Sequence, residues 1–61
     1  MKRLRRLRES KGLSQRALAD IANMSYTFLS NVEAGKADPS LSTLRRLAKA
    51  LKVKIVDLLD E

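Results

Sequence analysis

The chain has 61 residues, a net charge of +6, no cysteine and no histidine. That length holds one small domain, residues 1–61, and the missing residue types exclude a disulfide framework and the usual thiolate and imidazole zinc ligands. No apolar run approaches the roughly 20 residues of a membrane span, no apolar stretch follows the basic N-terminus as in a secretory signal, and the absence of cysteine fits a reducing cytoplasm.

The spacing predicts a first helix from Lys2 to Lys11, with Leu4, Leu7 and Arg8 sharing one face. Gly12 stands where a left-handed residue ends a helix, and Leu13 is the apolar residue that closes such a cap. Charge is concentrated here. Residues 1–16 set Lys2, Arg3, Arg5, Arg6, Arg8, Lys11 and Arg16 against Glu9 alone, whereas the charges of residues 17–61 cancel. Such a segment suits a polyanion, either nucleic acid or an anionic membrane surface; a solvated, charge-rich helix face is the plain alternative.

Ser14 caps a second predicted helix, Gln15 to Ala22, with Leu18, Ala19 and Ala22 inward and Ile21 flanking. Asn23 interrupts the pattern, and asparagine tolerates the left-handed conformation that a tight turn needs. Ser25 caps a third helix, Tyr26 to Ala34, which Gly35 ends. After a polar loop, Lys36 to Pro39, Ser40 caps a fourth helix, Leu41 to Leu51, striped with Leu41, Leu44, Leu47, Ala48 and Leu51. A short fifth helix is expected from Ile55 to Leu59. The turn Asn23-Met24-Ser25 has the length that crosses two short helices steeply and frees the second to enter a major groove.

Gly12-Leu13-Ser14-Gln15, Leu18-Ala19, Ser25, Leu29-Ser30, Glu33-Ala34-Gly35-Lys36, Pro39-Ser40-Leu41, Thr43-Leu44, Leu47-Ala48 and Leu51 together resemble the phage-repressor (Cro-like) helix-turn-helix pattern over nearly the whole chain. The resemblance implies an all-α, compact five-helix domain of the lambda-repressor-like type, with helices two and three forming the helix-turn-helix. It further implies sequence-specific binding of double-stranded DNA by a transcriptional regulator, a repressor, in a prokaryotic or phage setting. The chain departs from the family at Asn23 and Lys52, where glycine is usual. A left-handed Lys52 costs about 1 kcal/mol.

At about 100° per residue, Leu29 and Val32 of the third helix point inward, and Tyr26, Thr27, Ser30, Asn31 and Ala34 point outward. That outer face is short, polar and free of long charges. Asn31 suits a bidentate contact to adenine, Thr27 and Ser30 can bond either base type, and the Thr27 methyl can meet a thymine methyl. An ordinary solvated face is the competing reading; the resemblance favours base contact, chiefly by Tyr26, Thr27 and Asn31. Phe28 falls on the flank as partly buried core. For phosphates the candidates are Ser14 and Gln15 at the start of the second helix, Lys36 in the loop, and Arg16. The resemblance assigns Gln15 that role. Arg3, Arg5 and Arg6 read equally as long-range attraction or as solvated surface.

Arg8 and Glu33 both tilt toward the core, which is costly unless they meet. A partly buried Arg8–Glu33 pair is therefore expected, holding the first helix against the third. Ile55, Leu58 and Leu59 are expected to cover the core while Val56 points away. A weak homodimer is expected through Val53, Ile55, Val56 and Leu59, matching a palindromic operator. The alternative function is an antitoxin or adaptor module that binds a toxin or other partner protein, with or without DNA. An amphipathic membrane segment explains only the first helix. Neither an enzyme, a cofactor nor a metal is expected, since no catalytic or ligand constellation is present.

Overall fold

Three serines set the starts of three α-helices in the computed structural model, which describes residues 1–60. Ser14 Oγ accepts from the Ala17 amide at 3.0 Å, Ser25 Oγ from the Phe28 amide at 3.0 Å, and Ser40 Oγ from the Thr43 amide at 3.1 Å. Each bond satisfies a donor that the first turn leaves without a helical partner. The helices are α1 (Lys2–Ser10), α2 (Gln15–Ile21), α3 (Tyr26–Glu33) and α4 (Leu41–Leu51), and a single 3-10 turn (Ile55–Leu58) follows.

All four α-helices end on a left-handed residue: Gly12 (φ 71), Asn23 (φ 56), Gly35 (φ 78) and Lys52 (φ 58). The next amide then bonds back over the cap. Leu13 donates to the Arg8 carbonyl, Met24 to Ala19, Lys36 to Asn31 and Val53 to Ala48, at 2.8 to 3.1 Å. This closes a Schellman motif on each helix. Asparagine is among the few non-glycine residues that tolerate this conformation; Lys52 is not, and carries left-handed strain of about 1 kcal/mol. Lys52→Gly removes that strain while loosening the unfolded chain. The expected net gain is a few tenths of a kcal/mol, read as a Tm higher by about one to a few degrees; a lower Tm would contradict this.

Leu4, Leu18, Leu29, Val32, Leu47, Leu51 and Leu58 expose no surface, and the small Ala19, Ala22 and Ala48 fill the space between the helices. α3 is gripped by α2 on one side and α1 on the other, while α4 packs on α2 and on the 3-10 turn. Arg46 Nη1 also donates to the Asn23 carbonyl at 3.2 Å, fastening α4 to the α2–α3 turn. Phe28 is half-buried against the core.

The all-helical architecture agrees with the sequence reading, but the fifth helix does not form. Residues Ile55–Leu58 make one 3-10 turn, closed by the Asp57 amide on the Lys54 carbonyl at 3.0 Å and by Asp57 Oδ2 accepting from the Lys54 amide at 2.9 Å. The tighter period of three eclipses Ile55 with Leu58 and leaves Val56 and Leu59 on the other side. Leu58 is therefore buried, whereas Leu59, expected to cover the core, is 42% exposed. Leu41 also departs from its predicted stripe, at 56% exposed. It is the first residue of α4, and only the turns after it reach the core.

α1 has no side-chain cap of its own. Asp60 supplies one from the far end of the chain, its Oδ2 accepting from the Lys2 amide at 2.8 Å and its Oδ1 from the Arg3 amide at 2.9 Å. These amides, Arg3 first, hold the Asp60 carboxyl below its ordinary range. A depressed folded-state value means stabilisation that is present above the unfolded value, about 3.9, and is lost as pH falls through the lower folded one. On acidification below about pH 5 the wild type should lose more stability than Asp60→Asn. Parallel acid melts of the two would refute the cap.

Candidate nucleic-acid interface

The structure brings Arg8 and Glu33 together. Arg8 Nε donates to Glu33 Oε2 at 2.7 Å and Nη2 to Oε1 at 3.0 Å, a bidentate pair whose side chains are 9% and 3% exposed. Arg8 Nη1 donates to the Leu13 carbonyl at 2.7 Å, and Gln15 Nε2 to Glu33 Oε1 at 3.1 Å. One buried carboxylate at the end of α3 thus fixes α1, the α1–α2 loop and the start of α2. The hydrogen bond to Glu33 raises the Arg8 guanidinium pKa further, against the opposing push of burial. Every buried side-chain polar atom among the described residues has a partner, which is what makes such a pair tolerable.

With α3 held this way, its first turn lies open. Tyr26 and Thr27 are exposed, and Ser30 and Asn31 are half-buried one turn later. Lys36 is exposed just past the Gly35 cap. Beside Tyr26, a shallow concavity is lined by Arg5, Arg8, Ser14, Gln15 and Arg16, with no acidic side chain in its wall. Ser14 and Gln15 stand at its edge with other bonds already made: the Ser14 hydroxyl caps α2, and one Gln15 N–H is given to Glu33. Arg16 places its guanidinium carbon 4.6 Å from the centre of the Tyr26 ring, a cation–π contact between α2 and α3.

Arg5 joins this rim, a placement that sequence reasoning did not resolve. It stands one turn before Arg8 on α1, and the depth at which Arg8 pairs brings Arg5 to the rim with Arg16. Its i,i+4 contact with Glu9, 3.6 Å between exposed side chains, holds it weakly. The i,i+3 spacing to Arg8 was the available signal. Around the 3-10 turn, Val56 is 61% and Leu59 42% exposed, whereas Val53 and Ile55 are half-buried against the core.

Two short helices joined by a tight turn, the second offering a polar face beside a cluster of arginines, define a helix-turn-helix domain. The family model described as Helix-turn-helix matches residues 4–58, and the chain belongs to this Cro-like helix-turn-helix family. It is 41% identical over 58 residues to the HTH-type transcriptional regulator DdrOP3 of Deinococcus deserti, covering 95% of this chain and 45% of that protein. Against the immunity repressor protein of Bacillus phage phi105 it is 36% identical over 59 residues, 97% of this chain and 41% of the other. The chain therefore spans less than half the length of these two relatives. The crystal structure of the restriction-modification controller protein C.AhdI from Aeromonas hydrophila superposes with a TM-score of 0.93 at 38% identity, covering 95% of this chain and 88% of that one.

Proposed function

We propose that this domain binds double-stranded DNA sequence-specifically as a transcriptional regulator, a repressor, with α3 in the major groove. The observation that carries the reading is the outer face of α3, polar and without long charges, bordered by Arg16 and Lys36, which make no salt bridge among the described residues, and by Arg5, held only weakly by Glu9. Tyr26, Thr27, Ser30 and Asn31 read base edges; Ser14, Gln15, Lys36 and Arg5 hold the flanking phosphates. Short polar side chains read bases while peripheral cations fix the register. The naming of relatives as transcriptional regulators and as a phage repressor supports the same reading.

Two copies pair through the 3-10 turn, with Val56 and Leu59 meeting the partner and Val53 and Ile55 backing them. Exposed apolar side chains on a short rigid turn support this, and two-fold pairing would match a palindromic site.

In vitro selection from random duplex DNA near physiological salt tests the proposal. A palindromic motif with half-sites about one helical turn apart is expected; salt-sensitive binding without sequence enrichment would overturn it. On the selected site, log K should fall linearly with log salt. Lys36→Ala should reduce that slope by about one and weaken all sequences alike. Sedimentation showing a monomer at high concentration, with and without DNA, would count against the dimer.

A further inference from the structure

Arg16, a phosphate candidate by sequence, stands where a different task is open to it. It is the second residue of α2, and its guanidinium lies against the ring of Tyr26, the first residue of α3. Tyr26 is 42% exposed. At the first turn of a helix, a long side chain with one exposed face has several rotamers open to it. The ring lies next to the groove-facing residues, where a change of rotamer moves the phenol oxygen by several ångströms and changes which base edge it meets. A cation stacked on one ring face removes that freedom before DNA arrives, and pre-ordering a contacting side chain lowers the cost of binding.

We infer that Arg16 is a positioning residue for base readout: it clamps the Tyr26 ring by a cation–π contact, so that discrimination at one base pair is set partly by an α2 residue that touches no base. This rests on the proposed reading of DNA by α3 and deepens it. The surroundings favour the clamp. No acidic side chain lines the concavity where the two residues meet, and among the described residues the salt bridges involve other cations, so the ring is the contact that orders Arg16. The neighbouring Arg5 lies at the same rim and is placed to meet the phosphate itself. Asn31 lies more than one helical turn further along α3, out of reach of the clamp. Its base preference therefore serves as an internal control.

The test repeats the selection with wild type, Arg16→Gln, Tyr26→Ala and Asn31→Ala, after circular dichroism has shown that each is folded. Tyr26→Ala is expected to lose preference at one base pair per half-site, and Asn31→Ala at a different one. Arg16→Gln should lose preference at the Tyr26 position alone, from at least about fivefold against the wrong base to about twofold or less. The Asn31 position should stay intact. The salt slope should be unchanged, because no phosphate contact has been removed. In the free protein, nuclear Overhauser contacts from the Arg16 δ-methylene to the Tyr26 ring are expected.

Three results overturn the inference. In the first, Arg16→Gln keeps every base preference but weakens all sequences equally and lowers the salt slope by about one, which makes Arg16 a phosphate contact. In the second, Tyr26→Ala changes no base preference while the wild type still selects a motif, which leaves DNA reading intact and removes the clamp's purpose. In the third, the wild type selects no motif, and the inference falls together with the function it rests on.

Discussion

Arg8→Ala is expected to lower the stability of the domain by about 3–5 kcal/mol, because it leaves a buried carboxylate without its cation. Glu33 would keep only the Gln15 amide, and the Leu13 carbonyl would lose its donor. A domain this small has a net stability of only about 5 kcal/mol, so much of the variant should be unfolded at 37 °C. Since about 1 kcal/mol moves Tm by 4–8 °C at this size, the midpoint should drop by more than about 12 °C. Replacing both partners with apolar residues, Arg8→Met with Glu33→Leu, should recover most of the loss, the remainder reflecting the Leu13 carbonyl. A thermal melt showing Arg8→Ala within about 5 °C of wild type would mean that the pair behaves like an exposed one and does not brace α3.

The second large effect concerns binding. Asn31→Ala should weaken the selected site by about 1–3 kcal/mol, roughly 5- to 150-fold, and leave binding to random duplex nearly unchanged. Specificity should relax at one base pair per half-site. This pattern separates a base contact from a phosphate contact, for which all sequences weaken together. Equal weakening on selected and random duplexes, measured by anisotropy titration, would remove Asn31 from the reading face.

Much of the fold was legible because its punctuation is local. Ser14, Ser25 and Ser40 each bond an amide three residues on, and Gly12, Asn23 and Gly35 each take the left-handed position, so single residue types placed the helix ends to within one residue. Arg8 and Glu33 could be matched because each was an opposite charge on an otherwise apolar flank. The end of the chain was harder to read. Ile55, Val56, Leu58 and Leu59 fit an α-helix as well as a 3-10 turn, and the choice depends on the Lys54–Asp57 closure and on docking against α1 and α4. Leu41 looked like core because periodicity says which face a residue occupies but not where the core stops.

The site was legible to a lesser degree. Which side of α3 faces out follows from rotation alone. The gathering of Arg5, Gln15, Arg16 and Tyr26 does not, because it depends on how α1 and α2 are set relative to α3, and that depends on a buried carboxylate drawing in Arg8 and Gln15 from two other segments. The contact between Arg16 and Tyr26 spans ten residues and a turn, and no spacing rule reaches across it.

The most direct test of base reading by α3 acts on the DNA rather than the protein. In the selected duplex, each adenine is replaced in turn by 7-deazaadenine, which deletes the major-groove N7 acceptor and keeps the pairing edge. Wild type should lose about tenfold in affinity at one adenine per half-site, and Asn31→Ala should lose nothing further at that same position. If no adenine shows the loss, or if Asn31→Ala is as sensitive as wild type, then α3 does not read the major groove through Asn31 and the central claim fails.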